Sequence, residues 1–209
     1  MAKDSFYRLP IQKQKKIIQC AIKEFSKYGY YKCSMQSIAS SANIAKGSIY
    51  TYFESKKMLF MHIIDICINM KMELLSKTLV ECTNKTDFFE MFQTVILSGI
   101  KFATEYPDLF KIFQDLQKNA PEDIKNEFNE KAKSFSLPFN QIMIQKAQNA
   151  NQIRNNIDLE FISYIFSSLT KNFGEYIISF QPSLSYEQCE KYTSQFIDVI
   201  KYGLSRRDY

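Results

Sequence analysis

The sequence predicts an all-α protein with about nine helices, and three observations support this prediction. Apolar residues recur at helical i, i+3, i+4 and i+7 spacing almost throughout the chain, and sustained alternation of apolar and polar residues is missing. Five glycines and five prolines in 209 residues provide few of the tight turns that an all-β chain needs. Hydrophobic residues make up 45% of the chain, which is enough for a substantial core.

The first three predicted helices lie close together at the N-terminal end. The first covers about 10–28 and ends at Gly29, a residue type that accepts the left-handed conformation common at helix ends. The second is short and follows Ser34, whose hydroxyl is suited to cap it. The third covers about 46–52. These elements predict a three-helix head.

Six further helices are predicted to form a helical-bundle body. They cover about 55–81, 87–105, 107–118, 121–147, 158–180 and 186–205. Pro138 lies inside one of them and predicts a kink or break, because proline removes one backbone donor and crowds the preceding turn. The polar run 148–156 is a predicted loop, and Asp158 and Ser185 are predicted N-caps of the last two helices.

Charge is distributed unevenly along the chain. Residues 1–60 carry 11 Lys/Arg and 3 Asp/Glu, a net charge of +8, whereas residues 61–209 carry 16 and 19, a net of −3. A basic end on a slightly acidic remainder suits a polyanion bound at that end. A surface that simply keeps the chain soluble explains the charge equally well.

Several function classes are disfavoured by the composition. The five cysteines have no short CxxC spacing, so neither a disulfide framework nor a zinc site is expected. No apolar stretch resembles a signal peptide or approaches the length of a membrane span. We therefore expect a cytoplasmic protein with reduced thiols, no membrane partner and no metal site.

The stretch 17–59 contains the most informative pattern. Two short helices separated by residues 43–45 have the spacing of a helix-turn-helix. Asn43 stands in the turn, where its side chain tolerates left-handed backbone better than most. Gly47 lacks a Cβ near the start of the third helix and would let a bulky partner approach closely.

Three runs of residues in this stretch carry a family resemblance. They are Ala21…Phe25…Gly29-Tyr30, then Ser34…Ile38-Ala39…Ala42, then Gly47-Ser48-Ile49-Tyr50…Phe53…Ser55-Lys56…Leu59. The stretch resembles the DNA-binding head of the TetR family of bacterial regulators and covers about a quarter of the chain. Asn43 stands where the family usually has glycine, and Ala45 where a small polar residue is common. We therefore expect the third helix to be less well capped.

The resemblance implies a DNA-binding transcriptional regulator, and family habit favours a repressor released from a pseudo-palindromic operator by a small-molecule effector. It implies a helix-turn-helix DNA-binding domain at 1–54 and a helical effector-binding and dimerisation domain at 55–209. The expected partners are double-stranded DNA with an inverted repeat, a small organic effector and a second copy of the chain.

By position in the family motif, eight residues are expected to contact DNA: Ser34, Gln36, Lys46, Gly47, Ser48, Tyr50, Tyr52 and Lys56. The third helix would enter the major groove with its N-terminal residues near base edges. Tyr50, Tyr52 and Lys56 match positions that usually hold phosphates, which set register rather than sequence. Both lysines could instead be solvated charges, Tyr50 a core aromatic and Gln36 an ordinary surface residue.

The resemblance also implies an effector cavity among the middle helices. The residues expected to line it are Phe92, Phe102, Tyr106, Phe110, Phe113, Phe139 and Met143. Such a lining suits an apolar or aromatic molecule, although most of these residues could equally belong to the core. Glu105 and Asp115, if they face inward, would favour a cationic ligand instead.

The last two predicted helices are apolar on more than one face, so each needs a partner beyond its own core. The resemblance implies that they pair with their copies in a homodimer. The expected interface residues are Phe161, Ile165, Phe166, Leu169, Phe196, Ile200 and Leu204. An isologous dimer would present two recognition helices to an inverted-repeat operator.

The sequence disfavours two other classes of function, an enzyme and a protein-interaction module. His62, the single histidine, has no acidic or cysteine partner at ligand spacing, and no nucleotide loop or nucleophile motif is present. We therefore expect no catalytic residue, no cofactor and no enzymatic activity. The other rival is a helical protein-interaction module whose head binds DNA without sequence specificity; the basic skew and the intact Gly47-to-Lys56 run speak against it.

Overall fold

The computed structural model describes residues 2–81, 87–180 and 184–203. Within these ranges the chain forms ten α-helices and one π-helical turn, without β-strands. They are α1 Asp4–Tyr7, α2 Ile11–Lys32, α3 Met35–Ala42, α4 Lys46–Tyr52, α5 Lys56–Glu81, α6 Phe88–Glu105, α7 Pro107–Asn119, α8 Glu122–Asn149, α9 Leu159–Glu175, the π-helical turn Tyr176–Phe180 and α10 Tyr186–Tyr202. The all-α prediction is confirmed.

Three elements differ from the sequence prediction. The short helix α1 was not predicted, because four residues are too few to show helical periodicity. The helix α8 runs without interruption from Glu122 to Asn149, so the break considered at Pro138 does not occur. The predicted helix over 158–180 is α-helical only as far as Glu175, after which the chain widens into the π-helical turn.

Two predicted N-caps are confirmed, whereas the helix that was predicted to end at Gly29 resumes after it. Gly29 has φ 69° and ψ 175° and interrupts α2, which continues for one more turn to Lys32. Asp158 accepts a hydrogen bond from the Phe161 N–H at the start of α9. Ser185 forms a reciprocal capping box with Gln188 at the start of α10.

The chain divides into two compact units. The first comprises Met1–Met70 and Tyr106–Ala132, and the second comprises Lys71–Glu105 and Lys133–Tyr209. Helices α5 and α8 each contribute one end to either unit. The first unit therefore contains the N-terminal helices together with α7. The functional boundary predicted near residue 54 is a different division and stays a prediction.

Each unit has its own aromatic and aliphatic core. In the first unit Phe25 packs edge-on against Phe60 with ring centroids 5.0 Å apart, and both side chains are fully buried. In the second unit Phe88 and Phe92 stack on each other and both meet Phe166 edge-on. Edge-to-face and offset contacts of this kind add to the free energy gained from burial alone.

Candidate DNA-binding and effector sites

The segment 34–53 forms a helix-turn-helix. The Ser34 hydroxyl accepts a hydrogen bond from the Ser37 N–H at 3.0 Å, and the Ser34 N–H donates back to the Ser37 hydroxyl, which closes a capping box at the start of α3. Asn43 ends α3 in the left-handed conformation, with φ 57° and ψ 49°. The predicted cap and the predicted turn are both confirmed as local structure.

Helix α4 follows the turn and presents its N-terminal end to solvent. Ala45 is its N-cap and supplies no side-chain hydrogen bond, as expected. Lys46 and Gly47 are exposed, and a Cβ built on Gly47 would meet no atom within 4 Å. Packing within the protein therefore does not require glycine here, and the space beside this turn is open to a partner.

The remaining faces of α4 divide between core and surface. Ile49 and the C-cap residue Phe53 are fully buried, whereas Tyr50 is 42% exposed. Tyr52 is half-buried and lies near the ring of Phe6. On α3, Gln36 is exposed. The structure thus brings seven of the eight expected DNA-contacting residues into this one helix-turn-helix.

Lys56, the eighth expected residue, caps another helix. Its Nζ donates hydrogen bonds to the backbone carbonyls of Tyr30 at 2.7 Å, Cys33 at 3.1 Å and Tyr31 at 3.3 Å. It also lies 4.6 Å from the centroid of the Tyr30 ring. An ammonium at the C-terminal end of α2 is favoured by the helix dipole and by the unpaired carbonyls there. The phosphate contact implied by the family motif stays a prediction.

Experiments can distinguish the two roles considered for Lys56, as a helix cap and as a phosphate contact. As a cap, Lys56→Met loses three charge-assisted hydrogen bonds, so we expect the free energy of unfolding to fall by about 1–3 kcal/mol. If Lys56 acts only as a cap, the slope of log affinity for DNA against log salt stays unchanged in this variant. Lys46→Met should leave the free energy of unfolding unchanged. It should make the slope of log DNA affinity against log salt less negative by about one. A reduced slope without lost stability in Lys56→Met would identify it as a phosphate contact.

Two titratable side chains in the first unit are packing residues. Burial raises the pKa of the Cys33 thiol to about 12, so its thiolate is scarce at neutral pH and the residue is poorly reactive. His62 packs among aromatic rings, with centroid distances of 5.5 Å to Phe53 and 5.8 Å to Phe6. Burial lowers the pKa of His62, which keeps the imidazole neutral in this apolar setting.

Residues 17–63, which contain α3, α4 and the turn between them, match the family model described as bacterial regulatory proteins, tetR family. This segment is therefore similar to the N-terminal segment of TetR-family regulators.

Two curated relatives and one solved structure illustrate the likeness. The chain is 29% identical over 107 residues to YhgD, an uncharacterised HTH-type transcriptional regulator of Bacillus subtilis (strain 168), covering 51% of the chain and 54% of the relative. The chain thus spans about half the length of that relative. It is 24% identical over 169 residues to the probable acrEF/envCD operon repressor of Escherichia coli (strain K12), covering 78% and 76% of the two chains.

The fold is shared with the transcriptional regulator FadR from Bacillus subtilis in complex with stearoyl-CoA. The TM-score is 0.75 at 16% sequence identity, and the match covers 91% of this chain and 99% of that one. The residues described here contain no helix that combines the length and the apolar character needed to cross a membrane.

The TetR resemblance also predicted an effector site, and the structure divides its seven predicted residues between the two units. Phe92, Phe102, Phe139 and Met143 belong to the second unit, and Tyr106, Phe110 and Phe113 belong to the first. Phe92, Phe102 and Met143 are buried. In the first unit, Phe113 packs against Phe128 with ring centroids 5.5 Å apart.

A small cavity in the second unit contains two of these residues. Its lining comprises Phe88, Phe92, Asn140, Met143, Ile144 and Phe166, and its volume is about 10 Å³. That is room for about one water molecule. Sequence reasoning missed Asn140, the polar member, whose Nδ2 donates to the Ser167 hydroxyl at 3.0 Å. A polar amide within an apolar stretch was the sequence feature that could have indicated Asn140. Only its position on α8 in the structure shows that it lines the cavity.

Asp115 has a partner in the first unit. Its Oδ2 accepts a hydrogen bond from the Tyr30 N–H at 2.7 Å, and its Oδ1 accepts one from Asn119 at 3.1 Å. The carboxylate therefore faces α2, and the suggestion that it favours a cationic ligand loses its geometric support.

The predicted dimer residues do not all lie on one face. Phe161, Ile165 and Leu169 form an exposed apolar strip along α9, and Phe161 is 59% exposed. Phe166 is instead 6% exposed and packs against Phe88 and Phe92. It lies five residues from Phe161, which places it about 140° around the helix.

The α10 residues of the predicted interface are less exposed. Phe196 stacks on Phe173 with ring centroids 4.2 Å apart, and Ile200 is half-buried. Leu204 lies outside the described residues. Sequence reasoning missed two exposed tyrosines of this region, Tyr164 and Tyr176, because the prediction relied on aliphatic and phenylalanine side chains.

Proposed function

We propose that this TetR-family regulator is a cytoplasmic homodimer that represses transcription by binding an inverted-repeat operator and is released by a small organic effector. The observation that carries the proposal is the exposed N-terminal turn of α4, with open space beside Gly47. The relative named as a probable operon repressor supports the repressor assignment. Residues 1–54 would act as the DNA-binding domain and 55–209 as the effector-binding and dimerisation domain.

In this proposal α4 enters the major groove. Lys46, Gly47 and Ser48 approach base edges, and the Lys46 ammonium can donate to O6 and N7 of guanine. Gln36 on α3 can pair with adenine through its amide. Tyr50, exposed on the outer side of α4, donates its hydroxyl to a phosphate and so fixes the register of the head.

The effector in this proposal is an apolar or aromatic molecule bound in the second unit. Phe92 and Met143 line a cavity there, with Asn140 as its polar group. FadR, which shares this fold, binds stearoyl-CoA, a ligand with a long apolar chain. Because the cavity is only about 10 Å³, an effector must separate packed side chains as it enters. Binding and helix movement are thereby coupled, and a coupling of about 1–3 kcal/mol is typical of such linkage.

The homodimer in this proposal forms through the apolar strip of α9. Phe161, Ile165 and Leu169 stand exposed with Tyr164 and Tyr176. Large exposed apolar surface of this kind is characteristic of interfaces. A two-fold axis beside α9 would pair this surface with its own copy.

Selection of bound duplexes from a random DNA library by the purified protein tests the proposal. We expect an inverted repeat to be enriched, and enrichment to be lost in Tyr50→Ala. Tyr186→Ala is the matched control, because Tyr186 is similarly exposed but lies on α10 in the other unit. Folded, dimeric protein that enriches no sequence would contradict the proposal and favour a protein-interaction module with non-specific DNA binding.

A further inference from the structure

The short helix α1 contacts the C-terminal end of α4. The Lys3 N–H donates to the Tyr52 carbonyl at 3.0 Å, and the Ser5 hydroxyl donates to the Thr51 carbonyl at 2.7 Å. Helix α1 lies outside residues 17–63, the part of the chain that matches the family model. Its role is therefore a property of this chain that the family match does not describe.

These two hydrogen bonds satisfy carbonyls that a helix cannot satisfy by itself. The last four carbonyls of an α-helix have no partner within the helix. Helix α4 has only 7 residues, fewer than two full turns, so few bonds of its own hold it together. External partners for its last two carbonyls therefore make up a large share of its hydrogen bonding.

Phe6 fixes α1 in place beside α4. Its side chain is 2% exposed, and its ring centroid lies 4.9 Å from that of Phe53, the C-cap residue of α4. It also meets His62 at 5.8 Å and Tyr52 at 6.3 Å. Lys3 forms an ion pair with Glu54 at 3.5 Å, but both side chains are solvated and the pair contributes little.

Helix α2 holds the other end of α1. The Gln14 Nε2 donates to the Leu9 carbonyl at 2.8 Å and to the Tyr7 carbonyl at 3.2 Å, at the point where α1 ends. The N-terminal segment is thus bonded to α2 on one side and to α4 on the other. Such an element can fix the position of α4 relative to the head.

We propose that α1 braces the recognition helix α4 and that Ser5 and Phe6 are positioning residues for operator binding. The inference rests on the proposed function, in which Lys46 to Ser48 meet base edges. Contacts to bases need side chains held within about 0.5 Å of the productive geometry. Loss of the brace lets the last turn of α4 open and lets the whole short helix shift.

The test compares four variants of the full chain. Ser5→Ala removes the hydroxyl, Ser5→Thr retains it, and Phe6→Leu reduces the aromatic packing. Ser98→Ala is the matched control, because its hydroxyl also donates to a helix carbonyl, that of Val95, but on α6 in the second unit. Each is measured for affinity to the selected inverted repeat and for hydrogen exchange of the α4 and α3 amides.

We expect Ser5→Ala to weaken operator binding by about threefold to tenfold, the effect of one lost hydrogen bond. The α4 amides should exchange faster while the α3 amides do not, and Ser5→Thr should restore both properties. Phe6→Leu should act in the same direction as Ser5→Ala. Unchanged affinity and unchanged α4 exchange in Ser5→Ala and Phe6→Leu would overturn the inference.

The two proposals fail in different ways. If the unmodified protein selects no duplex, the operator-binding proposal fails, and the exchange measurement still decides whether α1 braces α4. If the unmodified protein selects an operator and Ser5→Ala binds it as tightly with the same α4 exchange, only the brace is contradicted.

Discussion

Gly29→Ala is expected to destabilise the first unit by about 2–4 kcal/mol, from backbone strain and a steric clash. Gly29 has φ 69° and ψ 175°, a region that is accessible essentially to glycine alone. A Cβ at this position would also lie 2.8 Å from the Asp115 Oδ1. The carboxylate cannot move away freely, because it accepts the Tyr30 N–H at 2.7 Å.

Thermal unfolding measures this effect, at about 2–4 °C per kcal/mol for a chain of this size. Gly99→Ala is the matched control, since its Cβ would meet no atom within 4 Å on the helix α6. It should stabilise the protein by about 0.5–1 kcal/mol. Equal effects of the two substitutions would contradict the assignment of strain to Gly29.

A second substitution separates clash from strain. Asp115→Ala by itself leaves the Tyr30 N–H without its partner and should cost about 1–2 kcal/mol. In the double variant the clash is gone, whereas the backbone strain and the unpaired Tyr30 N–H remain. The costs of the two single substitutions should therefore sum to more than the cost measured for the double variant. Strict additivity would show that the carboxylate does not constrain Gly29.

Phe161→Glu is expected to dissociate the proposed dimer and, with it, most operator affinity. The side chain is 59% exposed in the single chain and would be buried by its copy across a two-fold axis. A carboxylate introduced there acts twice per dimer, and at about 2 kcal/mol each the dissociation constant should rise about a thousandfold. A monomer holds one half-site and loses the advantage of two linked contacts.

Sedimentation at several protein concentrations, followed by titration of the selected duplex, measures both effects. Ile142→Glu is the matched control, because Ile142 is 56% exposed but lies on α8 and is not part of the α9 strip. It should leave the mass and the affinity unchanged. If the Phe161→Glu protein is still a dimer, the dimer interface does not include this strip of α9.

Local rules allowed much of the head to be predicted from the sequence. The Ser34 hydroxyl caps α3, Asn43 tolerates left-handed backbone, and Gly29 has no Cβ to prevent a positive φ. The structure shows the expected backbone conformation at all three residues. Helical periodicity likewise indicated the long helices. Helix α1 escaped prediction because its four residues are too few to show helical periodicity and its contact with α4 joins residues 46 positions apart.

Contacts between residues far apart in the chain could not be predicted from sequence patterns. The Lys56 ammonium meets carbonyls 23 to 26 residues away, contacts that the motif did not indicate, while its expected phosphate contact stays a prediction. Asp115 pairs with a backbone N–H 85 residues away. Phe161 and Phe166 are alike in sequence, and only the rotation of α9 within its unit shows which one is buried. Helix rotation likewise decides which residues line the cavity.

Helix α4, in the proposed function, recognises a particular DNA sequence. The most direct test is the ratio of dissociation constants for the selected inverted repeat and a scrambled duplex of equal length, at about 150 mM salt. We predict a ratio of about a thousand or more, as specific DNA-binding proteins show. Equal affinities for the two duplexes would mean that the head binds the DNA backbone alone, and would contradict the assignment of this chain as an operator-specific regulator.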